Sequence, residues 1–274
     1  MRNPYYLALC LAAFGSAASA ALLDSAPGGG SAPAVARDVE IHYGTVAFKA
    51  DDGTALKADW WAPKGSDRAP AALLLHAAGA DRTQLRDLAE RLYKNGYGVL
   101  ALDLRGHGES IAKPEDAYTL LENDEARANA WAFTTRDVEA AARWLRTNRA
   151  VHSANLNLFG VGAGSALAVR QGSRDENVRS VTLISPREKI LGFDLHEDLL
   201  ALEGVPTFLI ASREGKQAVE ALAKSVHDEL GGAPFITVET LKAKTPADLL
   251  DDSKLEFTIT KPLKAIAFPS RGRR

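Results

Sequence analysis

Four side chains able to take part in chemistry lie at or beside the ends of short apolar runs. His76 directly follows three leucines, Asp103 ends a second apolar run, His107 comes four residues after it, and Ser165 follows a glycine-rich stretch. A serine with a histidine base can carry out acyl transfer, and imidazole with carboxylate can bind a metal ion. The chain therefore offers two candidate chemistries, hydrolysis by Ser165 with His76 or His107, and metal binding by the two histidines with Asp103.

Each of these residues also has a structural interpretation, which we favour. Ser165 falls on the first turn of a predicted helix, three residues after Gly162 rather than on the turn that precedes the helix. The two histidines and Asp103 are scattered, without the close spacing of metal ligands, so we predict no metal site. His76 is predicted to shape the turn after its strand and to line a ligand pocket there.

The elements that position these residues are short apolar runs that alternate with amphipathic stretches, a pattern typical of an α/β fold. We predict a mostly parallel eight-stranded sheet with helices on both faces. An irregular connection over 111–131 is predicted to cross the carboxyl edge of the sheet, where ligands of such sheets bind. The predicted strands are 39–49, 56–62 (antiparallel to the first), 71–76, 97–102, 156–159, 178–184, 206–211 and 235–240, and the predicted helices are 81–94, 134–148, 165–170 and 216–230.

The N-terminal segment has the pattern of a secretory signal, with Arg2, an apolar run over 5–14, and the cleavage sequence Ala18-Ser19-Ala20. The apolar run is shorter than the roughly 20 residues that a membrane-spanning helix needs. The mature protein is therefore predicted to be periplasmic or secreted, with no membrane span. The predicted segments are a signal peptide over 1–20 cut after Ala20, a flexible leader over 21–37, one α/β domain over 38–252 and a C-terminal tail over 253–274.

Composition and spacing exclude several classes of partner and cofactor. With 33 basic and 35 acidic residues, the formal net charge is −2, which gives no field that would attract nucleic acid. The only cysteine, Cys10, lies in the predicted signal, so we expect no disulfide and no thiolate metal site. The run Gly160-Val161-Gly162-Ala163-Gly164 lacks the glycine spacing of a dinucleotide-binding loop, and no cofactor is predicted.

Three segments together resemble the α/β-hydrolase family, over about residues 39–250. They are Leu73-Leu74-Leu75-His76-Ala77-Ala78-Gly79, the run 96–110 that contains Asp103-Leu104-Arg105-Gly106-His107-Gly108-Glu109-Ser110, and the strand, turn and helix over 156–169. The resemblance implies the α/β-hydrolase fold. In members with serine chemistry, a Gly-x-Ser-x-Gly turn carries the nucleophile. In this chain Gly162 stands at the serine position.

The resemblance also implies where the other two members of a catalytic triad would lie. The acid would follow strand 206–211 and falls on Gly215, with Glu214 one residue earlier. The histidine would follow the last strand and falls on Thr245. With Gly162 at the nucleophile position, all three positions would lack the required side chain, and loss of nucleophile and base removes covalent catalysis.

Backbone groups of the family's site would persist, because they need no particular side chain. The resemblance assigns the oxyanion donors to the NH groups of Ala163 and Ala77. The function predicted is therefore an exported α/β-hydrolase-fold protein that has lost serine hydrolase chemistry and binds a small molecule or a protein. Two alternatives stay open. One is an active ester or amide hydrolase using residues outside the standard positions, and the other is a structural or assembly role in the cell envelope through the leader or the tail.

Overall fold

The computed structural model describes residues 43–65, 68–202 and 204–267. The predicted signal peptide (1–20) and leader (21–37) lie outside these residues and remain predictions. Within the described part of the chain, no helix is long and apolar enough to cross a membrane.

Eight strands form one central sheet, and two more form a small hairpin. The strands are β1 Tyr43–Lys49, β2 Ala55–Trp61, β3 Ala69–Leu75, β4 Gly98–Asp103, β5 Val151–Val161, β6 Val178–Ile184, β7 Lys189–Ile190, β8 Phe193–Asp194, β9 Thr207–Ala211 and β10 Ile236–Thr240. The sheet has the order β1-β2-β4-β3-β5-β6-β9-β10, and β7 pairs with β8. Only the β1–β2 and β2–β4 pairs of the sheet are antiparallel. The predicted mostly parallel eight-stranded sheet is confirmed.

Helices cover both faces of this sheet, as predicted. They are α1 Arg86–Lys94, α2 Asp124–Phe133, α3 Thr135–Thr147, α4 Gly164–Gly172, α5 Leu195–Leu200, α6 Lys216–Glu229 and α7 Leu255–Ala267. Successive side chains of a strand point to opposite faces. In β3, Leu73 therefore belongs to the core layer that contains Leu167 of α4, whereas Leu74 belongs to the layer that contains Leu92 of α1 and Ile259 of α7.

Two regions differ from the prediction. The connection predicted to be irregular over 111–131 ends at Asn123, whose side chain caps α2 by accepting a hydrogen bond from the NH of Ala126 at 2.8 Å. Trp131 of that helix is fully buried in the core. The β7–β8 hairpin and α5 were not predicted, because elements of two to six residues are too short to show a periodic pattern.

The C-terminal boundary of the domain was also predicted wrongly. Most of the expected tail over 253–274 is helix α7, and its residues Leu255, Ile259 and Leu263 are buried against the sheet. Their spacing of four residues places them on one face of the helix. Helix α7 is therefore part of the domain, which continues at least to Ala267.

Candidate functional site

A sharp turn joins β5 to α4 at Gly160-Val161-Gly162-Ala163-Gly164, which we call the elbow. Gly162 has a φ of 53°, in the left-handed region that favours glycine. Its NH donates to the carbonyl of Ile184 in β6 at 2.9 Å, and its carbonyl accepts from the NH of Ser165 at 3.1 Å. Because β5 runs directly into α4 here, Gly162 lies at the carboxyl edge of the sheet.

The three glycines of the elbow meet different surroundings. A Cβ on Gly160 would lie 2.3 Å from the carbonyl oxygen of Gly164, and a Cβ on Gly164 would lie 2.5 Å from the carbonyl oxygen of Leu75. A Cβ on Gly162 would meet only the Cβ of Ala77, at 3.4 Å. The two flanking positions are therefore closed to side chains by neighbouring backbone, whereas the central position has room for one.

Two backbone NH groups lie next to Gly162, and we call them the cradle. One belongs to Ala163, the residue that precedes α4, and no side chain caps this end of the helix. NH groups at a helix N-terminus carry partial positive charge and bind anions. The other belongs to Ala77, and it donates to Oε1 of Gln84 at 3.0 Å. One cradle donor is thus already engaged by a side chain of the protein itself.

The loops predicted to hold the acid and the histidine lie side by side. The NH of Arg213 donates to the carbonyl of Ala243 at 3.0 Å, and the NH of Glu214 donates to the carbonyl of Lys244 at 3.1 Å. Glu214 is exposed. Gly215 precedes α6, and its NH donates to the Ser212 hydroxyl at 3.1 Å. The two loops therefore meet at the carboxyl ends of β9 and β10.

Thr245, at the predicted histidine position, forms hydrogen bonds with a residue three positions further along the chain. Its hydroxyl donates to the Asp248 carboxylate at 2.7 Å, and its NH donates to the same oxygen at 3.0 Å. The hydroxyl hydrogen bond, followed by that of the NH, lowers the pKa of Asp248. These contacts close a turn and give Thr245 a structural partner. Assignment of Gly215 and Thr245 to triad positions stays a prediction.

The ring of His76 is fully buried and uses both nitrogens within the protein. Nε2 accepts from the NH of Leu104 at 3.1 Å, so the proton lies on Nδ1, which donates to the carbonyl of Ala77 at 2.8 Å. Burial lowers the pKa of His76 to about 4, which keeps the ring neutral near pH 7. Both ring nitrogens are thus engaged within the protein, and the expectation that His76 lines a ligand pocket stays a prediction.

His107 is held in the same way. Its Nε2 accepts from the NH of Gly79 at 3.2 Å, and its Nδ1 donates to the carbonyl of Arg105 at 2.9 Å. Burial lowers the pKa of His107. The ring stacks on Tyr118 with 4.5 Å between centroids. Both histidines thus tie the loops after β3 and β4 together.

The other two candidate residues, Ser165 and Asp103, also form hydrogen bonds within the protein. The Ser165 hydroxyl is buried and donates to the carbonyl of Gly160 at 3.0 Å. The buried Asp103 carboxylate accepts from the NH of Arg82 at 2.7 Å and from the NH of Glu109 at 2.8 Å, and it pairs with the Arg82 guanidinium. Ser165 is therefore not placed to act as a nucleophile with His76 or His107. No group of three potential metal ligands is found among the described residues.

The other described histidines have partners of their own. The Nδ1 of His152, near the start of β5, accepts from the NH of Ala154 at 3.2 Å. His196 lies 3.4 Å from the Glu229 carboxylate, and the Nδ1 of His227 accepts from the NH of Ala233. These contacts of the three histidines are with residues outside the elbow.

Sequence reasoning missed two residues beside the elbow. One is Gln84, whose contact with Ala77 no sequence pattern indicates, because the side chain folds back from an exposed turn. The other is Ser185, which follows β6 with a φ of 54°. Since Ile184 pairs with Val161, Ser185 lies beside Gly162 at the sheet edge. Its place directly after a strand was the signal that could have identified it.

The sheet order, the positive φ at Gly162 and the compressed flanking glycines define an α/β-hydrolase-type protein. Residues 67–211, more than half of the chain, match the family described as serine aminopeptidase, S33. The chain therefore belongs to this α/β-hydrolase family. Among curated protein sequences, none matches the chain significantly.

Solved structures with the same architecture cover most of the chain. An esterase from Pyrococcus furiosus has a TM-score of 0.63 at 17% identity, over 83% of this chain and 92% of its own. A dienelactone hydrolase from Anabaena variabilis has a TM-score of 0.63 at 18% identity, over 83% and 97%. An α/β-hydrolase from a Penicillium species has a TM-score of 0.65 at 13% identity, over 83% and 99%. At these identities the likeness concerns the fold.

Proposed function

We propose that this protein is a non-catalytic member of its family, and that it binds a carbonyl or carboxylate oxygen at the elbow. The observation that carries the proposal is the contrast at this site between backbone and side chains. The backbone of the elbow keeps a left-handed central residue and flanks that tolerate only glycine. The side chains that hydrolysis requires are missing from the same place.

The absence of covalent chemistry rests on several independent residues. Gly162 has no atom that can attack a carbonyl, although a side chain would fit there. The nearby Ser165 hydroxyl donates to backbone, and the rings of His76 and His107 are fully hydrogen-bonded. An acyl-enzyme needs both a nucleophile and a base that accepts its proton. Neither is offered at the elbow by the residues that the family pattern designates.

Binding of an oxygen acceptor is supported by the cradle. The NH of Ala163 lies at the N-terminus of α4, and NH groups at such helix ends stabilise negative charge. Ala77, which supplies the second NH, and Gly162 are both partly accessible to solvent. In acyl-transfer enzymes two such donors stabilise the developing oxyanion. Without a nucleophile, the same donors can hold a carbonyl or carboxylate oxygen that does not react.

We expect butyrate to bind the wild-type protein at this site. In a titration followed by amide NMR, the signals of Ala163 and Ala77 should shift and saturate with a dissociation constant on the order of millimolar. Sodium chloride at equal ionic strength is the control for a general salt effect. Shifts confined to other amides, or no saturable shift at Ala163, would contradict the proposal.

A matched variant removes one cradle donor. Ala163 has φ −65°, the value that the proline ring requires, and proline has no NH. Ala163→Pro should therefore abolish the saturable butyrate shifts while circular dichroism remains that of the wild type. Unchanged butyrate affinity in a folded Ala163→Pro protein would show that the cradle is not the binding site.

We also propose that the protein is exported to the periplasm or secreted. Residues 1–20 have the charge, apolar length and small-residue cleavage sequence of a signal peptide. N-terminal sequencing of the protein purified from its native cells should begin at Ala21. A cytoplasmic protein that retains Met1 would contradict export.

An active hydrolase is the second candidate, and one observation favours it. Ser185 combines a hydroxyl with a left-handed backbone conformation directly beside Gly162, and strained residues of this kind cluster at active sites. It lacks a histidine partner among the described residues. This candidate requires that a serine-directed probe label the wild-type protein, which the first proposal forbids.

A further inference from the structure

Gln84, which lies outside the three triad positions, forms a hydrogen bond with one of the two cradle donors. Its side-chain carbonyl oxygen accepts the NH of Ala77 at 3.0 Å. That NH is one of the two donors of the cradle, and Gln84 reaches it from a turn seven residues further along the chain. A carbonyl oxygen is also the chemical group that the cradle is proposed to bind.

The turn that carries Gln84 is firmly held, whereas the side chain itself is exposed. The Arg82 guanidinium pairs with Asp59 at 2.9 Å and with the fully buried Asp103. The Asp81 carboxylate caps the turn by accepting the NH two residues ahead at 2.8 Å. Leu85, on the other side of Gln84, is fully buried. Rotation of the Gln84 side chain can therefore release the Ala77 NH without moving the backbone.

We propose that Gln84 is an internal competitor for the cradle, whose side-chain carbonyl must leave the Ala77 NH before a carbonyl or carboxylate ligand can engage both donors. This inference rests on the proposed function of the elbow and adds the residue that sets its affinity. The ligand replaces one hydrogen bond to Ala77 by another of the same kind. Only the Ala163 donor then gives a net gain, and binding to the wild type is weak.

Two variants of Gln84 should change butyrate affinity in opposite directions. Gln84→Met keeps the length of the side chain but removes the acceptor, so affinity should rise about fivefold, the effect of one typical net hydrogen bond. Gln84→Glu keeps an acceptor and adds a negative charge, so affinity should fall by at least a similar factor. Arg86→Lys, at an exposed position on the next turn of the chain, keeps the charge, is the control and should leave affinity unchanged.

Exchange of the Ala77 amide hydrogen tests the contact without any ligand. The exchange should be faster in Gln84→Met than in the wild type, and it should remain slow in Gln84→Glu. Equal exchange rates in the wild type and Gln84→Met would overturn the inference. So would a fall in butyrate affinity in Gln84→Met, because the Gln84 amide would then be a ligand contact rather than a competitor.

The outcomes separate this inference from the function on which it rests. If butyrate binds the wild type and the Gln84 variants equally well, the cradle binds ligand and Gln84 does not compete for it. If butyrate shifts Ala163 in none of the proteins, the proposed function fails and the inference fails with it.

Discussion

Gly164→Ala is expected to lower the free energy of unfolding by about 3 kcal/mol, a large value for the addition of one methyl group. The new Cβ would lie 2.5 Å from the carbonyl oxygen of Leu75 and 2.6 Å from that of His76. Both atoms belong to the backbone at the end of β3, a fully buried strand, so neither can turn away. The helix α4 must shift from the sheet, and its buried contacts loosen. Urea unfolding measured by circular dichroism gives the change in free energy.

Gly162→Ala is the matched control for this substitution. Its Cβ has room, with Ala77 at 3.4 Å, but φ is 53°, which costs an L-residue about 1 to 2 kcal/mol. The ranking expected is therefore a larger loss at Gly164 than at Gly162, although both changes add the same methyl group. Equal stability of the wild type and Gly164→Ala would mean that the elbow is not packed against β3 as described.

Restoring a serine at the elbow is expected to give almost no hydrolysis. Gly162→Ser places a hydroxyl on the left-handed turn where space exists. His76 and His107, the histidines of the loops after β3 and β4, have both ring nitrogens hydrogen-bonded within the protein and cannot accept its proton. In a serine protease, loss of the base lowers turnover roughly a millionfold. Hydrolysis of 4-nitrophenyl butyrate by Gly162→Ser should therefore remain at the level of Gly162→Ala, which carries the same backbone strain without the hydroxyl.

A clear rate advantage of Gly162→Ser over Gly162→Ala would reveal a base within reach of position 162. The acid and histidine loops would then have to be reassigned. Combining Gly162→Ser with Thr245→His tests the predicted histidine position further, since this pair supplies both a nucleophile and a base at the positions that the family pattern designates. A rate above that of either single variant would support the assignment of Thr245.

Much of the fold could be predicted because strands such as β3, β4 and β9 are buried on both faces. The run Leu73-Leu74-Leu75 contributes to the two core layers in alternation, and such continuous apolar runs are typical of parallel sheets. Helix α7 was missed although Leu255, Ile259 and Leu263 lie on one face. Pro262 falls inside it, and proline normally interrupts a helix. Here tertiary packing outweighs the local signal.

The candidate site could be predicted only as far as the backbone follows from glycine. The left-handed Gly162 and the closed flanks at Gly160 and Gly164 follow from the motif. The hydrogen bonds of His76 and Gln84 do not, because no residue pattern indicates which groups the loops after β3 and β4 bring together. His76 reaches Leu104 on the neighbouring strand end, and Gln84 folds back onto Ala77. Such contacts decide whether a residue is available for chemistry.

The proposed function requires that the protein have no activated serine nucleophile. Its most direct test is reaction of the wild-type protein with a fluorophosphonate probe, which forms a covalent bond to activated serine. Mass spectrometry of the intact protein should show no added probe mass under conditions in which an active serine hydrolase, included as a control, is fully labelled. Stoichiometric labelling would contradict the account, and the peptide that carries the probe would show whether Ser185 or another serine is the nucleophile.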